Sequence, residues 1–263
     1  MKLKREFTAS GKIKLKGKYM KHNACMVSFF VEGANPKTIE LQRAVVDKLN
    51  VSKYPLYQIK TDASHPISMD YFWCMNGLTV DTLKQKNIPK QLDHEIILFL
   101  DLDAIPVSET AIDLYIERAA QGHIAANAQR SNHIENDKHV FAAPSSLALS
   151  ADTFVTIGKP SALQTKRGDV AEEYTYKAEE SKIVPIDLFM PIRYDSPPFR
   201  MSWESADLPP YWEMGDGMPN YGIGTTYGDE ENGELFWHCF QIYQPGQQER
   251  FHAKCESILA NKV

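Results

Sequence analysis

The chain has 263 residues, 43% of them hydrophobic and 24% charged, a balance that fits one folded α/β domain and excludes a disordered chain. No apolar run approaches the roughly 18 residues needed to span a bilayer, and the amino terminus carries charge but no apolar core of a secretory signal. The net charge of −5 is uneven: residues 1–21 hold eight basic side chains against Glu6 alone, a local +7 that leaves −12 on the remainder.

In chain order, residues 1–22 read either as a basic arm for a polyanion or as an edge strand, because "GKIKLKGKYM" alternates Lys with Ile, Leu and Tyr. Residues 23–263 alternate strand and helix signals, the pattern of a mostly parallel central sheet flanked by helices. "ACMVSFFV" (24–31) is the first buried strand. Gly33 then permits a tight turn, Asn35 can cap, Pro36 suits a first helical position, and Leu41, Val45 and Leu49 give the helix one apolar stripe. "PLYQIKTD" reads as a second strand with Asp62 just beyond it, and "HPISMDYFWCMNGL" as a short helix behind Pro66.

The run from Ile96 to Leu100 is a strand buried on both faces, as in parallel sheets, and Asp101 sits at its carboxyl end. Ser108 can cap the next helix, whose apolar face is Ile112, Tyr115, Ile116 and Ala119. "HIAANAQ" and "SSLALS" read as strands, Ser150 as the cap of a brief helix, and "GDVAEEYTYKAEESK" as a helix beginning near Asp169. After the strand "IVPIDLF", residues 196–233 are crowded with Pro, Gly, Trp and Tyr and show no period, as in a long functional loop. "ELFWHCFQIY" returns to strand character, and a helix with Phe251, Cys255, Ile258 and Leu259 on one face closes the chain. Four scattered cysteines without CxxC spacing read as reduced core thiols, which points to the cytoplasm.

Asp101-Leu102-Asp103 carries the chemistry. Two acids one residue apart repel unless they share a positive charge, usually a divalent cation with oxygen ligands. With its buried strand upstream and a lone His238 in "LFWHCFQ" far downstream, the pattern resembles the nucleotide-sugar glycosyltransferases of the GT-A fold. "FAAPSSLALSADTFVTIG" is similar to that family's acceptor-side strand and turn, and "GDVAEEYTY" to its acidic helix start near the acceptor.

The resemblance implies a GT-A-like single domain and transfer of a sugar from a nucleotide-diphosphate sugar to an acceptor hydroxyl, foremost of a glycan. It implies Mn²⁺ or Mg²⁺ on Asp101, Asp103 and His238, a mixed set that suits Mn²⁺ somewhat better. Val31, Glu32, Gly33 and Asp62 would edge the nucleotide pocket, together with Asp101, Leu102 and Asp103. Asp169 is the first candidate for the base of an inverting course, with Glu172 and Glu173 behind it, although an acid there also serves a helix amino terminus. Trp203, Tyr211, Trp212, Tyr221 and Tyr227 are candidates for stacking on an acceptor, or for pinning the loop. A hydroxymethylated base of viral DNA is the alternative acceptor, favoured by the basic arm. A haloacid-dehalogenase-type phosphatase and a non-catalytic nucleotide- or carbohydrate-binding protein are the competing functions.

Overall fold

The computed structural model describes residues 4–7, 13–16, 22–61, 64, 66–76, 94–131, 138–195 and 224–261. Strands β1 (Lys4–Phe7) and β2 (Ile13–Lys16) pair with each other as a separate antiparallel ribbon, Lys4 opposite Lys16 and Glu6 opposite Lys14. The remaining strands form one nine-stranded sheet: β3 (Ala24–Phe30), β4 (Leu56–Lys60), β5 (Ile96–Asp101), β6 (Ala104–Pro106), β7 (Ile124–Arg130), β8 (Val140–Ser150), β9 (Ile186–Tyr194), β10 (Thr225–Asp229) and β11 (Gly233–His238). Their order is β4-β3-β5-β8-β7-β9-β10-β11-β6.

The sheet is not mostly parallel. Three pairings, β3–β4, β3–β5 and β7–β9, are parallel, and the other five are antiparallel. The apolar runs misled on direction because they report burial of both faces, and helices cover both faces here whichever way a strand runs. β7 is antiparallel to β8 yet buried along its whole length. The β7–β8 ladder shifts register between Ala126 and Asn127, skipping Pro144, Ser145 and Ser146 on β8. Pro144 cannot donate to a ladder, which accounts for the irregularity there.

Six helices flank the sheet among the described residues: α1 (Pro36–Leu49), α2 (Ile67–Asn76), α3 (Ala111–Ala120), α4 (Ala151–Thr156), α5 (Glu172–Ser181) and α6 (Gln247–Ala260). Period-two alternation along β5 separates two cores. Ile97 and Phe99 join Tyr71, Cys74, Phe154 and Tyr174 on one face, whereas Ile96, Leu98 and Leu100 join Val46, Ile112, Tyr115 and Ile116 on the other. The caps follow the sequence in part: Asn35 accepts from Lys37 N–H and Ser150 from Thr153 N–H. Ser108 does not cap, since Thr110 holds that position in helical conformation without a side-chain bond to the helix backbone. The helix expected from Asp169 starts three residues later, behind Ala171 at φ +62°. All four cysteines are free and buried. Among the described residues no helix is long and apolar enough to cross a membrane.

Only Leu102 and Asp103 separate β5, third in the sheet, from β6, ninth and at the edge. Six strand spacings would measure about 29 Å in a flat sheet, but the three Cα steps from Asp101 to Ala104 span at most about 11 Å. The sheet therefore curls back on itself, and the acid pair sits where its edge meets its centre. The Phe99 ring, fully buried between Phe29 and Tyr71, anchors this region. Phe99→Ala should cost about 3–5 kcal/mol, read as a lower urea midpoint with an unchanged slope.

Candidate metal centre and its cavity

Asp101 ends β5, Asp103 lies in the link, and the β6–β11 ladder sets His238 opposite Ala104. Cys239 N–H donates to the Asp103 carbonyl at 2.9 Å, locking the two segments together. His238 Nε2 lies 3.2 Å from Asp103 Oδ1 and 3.9 Å from Asp101 Oδ2. The other carboxylate oxygens are already engaged. The Tyr71 hydroxyl donates to Asp101 Oδ1 at 2.6 Å, and Ile242 N–H donates to Asp103 Oδ2 at 3.3 Å.

Burial pushes the Asp101 carboxyl up, Asp103 adds to the rise, and His238 and the Tyr71 hydroxyl pull back without cancelling it. Burial also disfavours a charged His238, but Asp103 and then Asp101 outweigh it, so the imidazole sits above its ordinary value.

The donor set fits a divalent ion. Two carboxylates and one imidazole each offer a ligand atom within 4.8 Å of the others. Ligands of one ion with bonds near 2.1 Å lie no more than about 4.2 Å apart; both His238 distances meet that limit, and the ligand atoms of the two acids lie within 4.8 Å of each other. His238 Nδ1 is buried without a hydrogen-bond partner, so the ring's hold on the cluster comes through Nε2 alone.

The cluster forms the floor of a cavity of about 590 Å³. Phe29, Phe30, Pro66 and Ile67 give its lining an apolar part, and the segment from Phe240 to Tyr243 lines it too. Val31 and Leu102 are among the residues lining this space. Glu32 instead points to solvent and pairs with Lys60 at 2.7 Å, while Gly33 makes the turn at φ +82°. Asp62, Trp203, Tyr211, Trp212 and Tyr221 lie outside the described residues. Tyr227, expected in an irregular loop as a stacking candidate, is a buried core residue of β10. A strand was missed there because Gly228 and the run "GDEENG" masked the short alternation of "TTYG".

Asp169 and Glu172 are not among the cavity-lining residues. β5 and β7 both run antiparallel to β8, so Ser131, just beyond β7, lies at the same end of the sheet as Asp101. There Glu172, fully buried, accepts from Ser131 Oγ at 2.8 Å, Asp169 N–H at 2.6 Å and His139 Nδ1 at 2.5 Å. Glu173 is held by Arg167 through two contacts of 2.7 Å. Asp169 accepts from Val170 N–H and is partly exposed. Sequence reasoning missed Tyr71 and Ile242, since nothing local ties a helix tyrosine or a loop N–H to acids distant in the chain.

No protein-family model and no curated protein matches this sequence. Among solved structures, A197 from STIV is similar at a TM-score of 0.35 and 11% identity, over 58% of this chain and 78% of that one. A Drosophila β1,4-galactosyltransferase 7 mutant in complex with manganese, UDP-Gal and xylobiose is similar at a TM-score of 0.41 and 8% identity, over 86% and 79%. Neither likeness is close enough to identify a shared activity.

The raised His238 and Asp101 carry a pH signature. A group whose pKa is raised by folding stabilises the protein below its unfolded value and loses that stabilisation as pH rises through the folded one. For His238 the loss begins above about pH 6.5 and completes as pH passes its higher folded value, where Nε2 is free of its proton. The increase in Tm on adding Mn²⁺ should therefore grow from pH 6 to pH 8, measured by thermal melts at fixed ionic strength. An increment that shrinks over that range contradicts the ligand assignment.

Proposed function

We propose that this protein is a metal-dependent glycosyltransferase that moves a sugar from a nucleotide-diphosphate donor to an acceptor hydroxyl. One observation carries the reading: Asp101, Asp103 and His238 converge on the floor of a cavity whose lining is in part apolar. That combination suits a ligand with an anionic centre and a flat, weakly polar end. Asp101, Asp103 and His238 would hold Mn²⁺ or Mg²⁺, which when bound supplies Lewis acidity toward the departing diphosphate oxygens. Phe29, Phe30, Pro66 and Ile67 would pack the nucleoside and exclude water, with Val31 at the rim.

For the acceptor proton, Asp169 is the better candidate. Glu172 already accepts three hydrogen bonds in a fully buried setting, which makes it an anchor for the Asp169 turn. A phosphatase would use Asp101 as nucleophile; here its Oδ1 is committed to Tyr71 and β5 pairs antiparallel with β8, which weighs against that alternative. Asp103→Ala should abolish metal-dependent release of nucleoside diphosphate from sugar nucleotides and lower Tm, because the buried Ile242 N–H and His238 lose their acceptor; Asp103→Asn, which keeps an oxygen for Ile242 N–H, should abolish the release at a smaller cost in Tm. Full turnover in excess chelator would falsify the proposal.

A glycan hydroxyl is the first acceptor class, and the basic ribbon favours a second, a polyanion such as DNA carrying hydroxymethylated bases. Four lysine or arginine residues fall within the eight residues of β1 and β2. If the ribbon engages duplex DNA, log affinity should fall against log salt with a slope near −0.9 per phosphate contact, and removing residues 1–21 should flatten it. A salt-insensitive acceptor interaction leaves the glycan reading alone.

A further inference from the structure

Each acid of the cluster has one oxygen taken by the protein and one left toward His238. On Asp103 the taken oxygen is Oδ2, bonded by Ile242 N–H; on Asp101 it is Oδ1, bonded by the Tyr71 hydroxyl. The 2.6 Å contact is short, as expected for a hydroxyl donating to a carboxylate. Its position is fixed from behind. Tyr71 is 2% exposed, and its ring packs edge-on against Phe29 with centroids 5.1 Å apart and against Phe99 at 4.8 Å. The hydroxyl therefore cannot follow Asp101 if the carboxylate turns.

We infer that Tyr71 is a positioning residue that restricts Asp101 to one-oxygen coordination and so selects the ion. The inference rests on the metal reading above and extends it to selectivity. Turning Asp101 to present both oxygens would break the Tyr71 bond, so the protein offers one oxygen from each acid and one nitrogen from His238. Ca²⁺ takes about six to eight oxygens and commonly uses a carboxylate through both, whereas smaller ions accept fewer, singly bound ones. An imidazole ligand by itself also disfavours Ca²⁺. The contribution of Tyr71 is therefore the part of the selectivity that disappears with its hydroxyl and not with its ring.

Tyr71→Phe isolates that hydroxyl, because the ring contacts to Phe29 and Phe99 are kept. In the full-length protein, Mn²⁺ affinity is read from the free-ion electron paramagnetic resonance signal, and Ca²⁺ affinity from competition at the same pH and ionic strength. The expected result is a roughly tenfold weaker Mn²⁺ affinity, the size of losing a supporting contact at a metal site, with Ca²⁺ affinity unchanged or stronger. Equal loss for both ions, or no change in their ratio, overturns the assignment, since a merely structural role would not discriminate between them. If Tyr71→Phe does not fold, 3-fluorotyrosine at position 71 keeps the ring and makes the hydroxyl a stronger donor. The ratio should then move further toward Mn²⁺, and an unmoved ratio overturns the assignment. Failure of the unaltered protein to bind Mn²⁺ at all would instead overturn the metal reading beneath it.

Discussion

Two residues join the centre of this sheet to its edge, and that short link is the constraint on which the site depends. β5 and β6 occupy the third and ninth places in the sheet, with Leu102 and Asp103 between them. The sheet must curl until β6 and its partner β11 come beside the carboxyl end of β5. Leu102 in this link is buried at 6% exposure and lines the cavity. The same curl delivers His238, 135 residues from Asp103 in sequence, to within hydrogen-bond distance of it. Topology thus brings His238 from a distant part of the chain to the acid pair.

Convergence of two carboxylates in a half-buried place is costly, and the protein offsets it with a donor for each acid. Tyr71 reaches Asp101 from α2, Ile242 N–H reaches Asp103 from the loop after β11, and His238 stands between the remaining oxygens. These donors also belong to the cavity walls. Ile67, one helical turn before Tyr71, lines the cavity on α2, and Ile242 lines it too. Whatever fills the cavity presses on the elements that orient the acids. In the proposed function, ion and organic ligand would therefore bear on one set of hydrogen bonds, the physical requirement for coupled binding.

The sequence made the strands and the acid pair legible because both are local. Ile96 to Asp101 announces burial and then charge, and Asn35, Pro36 and Ser150 announce helix starts through their own side chains. Direction and partnership are not local. Nothing in β8 states that it runs antiparallel to β5, and "AIP" gives no sign that three residues will pair with β11 at the far edge. His238 was singled out only through the resemblance, because its neighbours Trp237 and Cys239 are both fully buried core residues. Tyr71 was invisible for the opposite reason: a tyrosine within an apolar helix reads as packing, and packing is also what it does with its ring.

The loop after His238 bears the cost of this arrangement. Phe240 and Gln241 follow one another with φ of +58° and +55°, a conformation that β-carbon sterics make unfavourable by about 1–2 kcal/mol per residue. Glycine would relieve the strain at either position, yet neither is glycine. The turn they make aims Ile242 N–H at Asp103 and places the Ile242 side chain in the core with Trp237 and Phe251. A hydrogen bond to a charged group contributes roughly 1.5–3 kcal/mol, and full burial of an isoleucine roughly 1.5–3 kcal/mol, together enough to hold two strained residues. The Phe240 ring also meets His238 edge-on with centroids 5.6 Å apart, a contact glycine could not supply. Strain in the loop is thus balanced against the hydrogen bond that fixes Asp103, so any change in the charge on that carboxylate alters the balance that keeps the cavity wall in place.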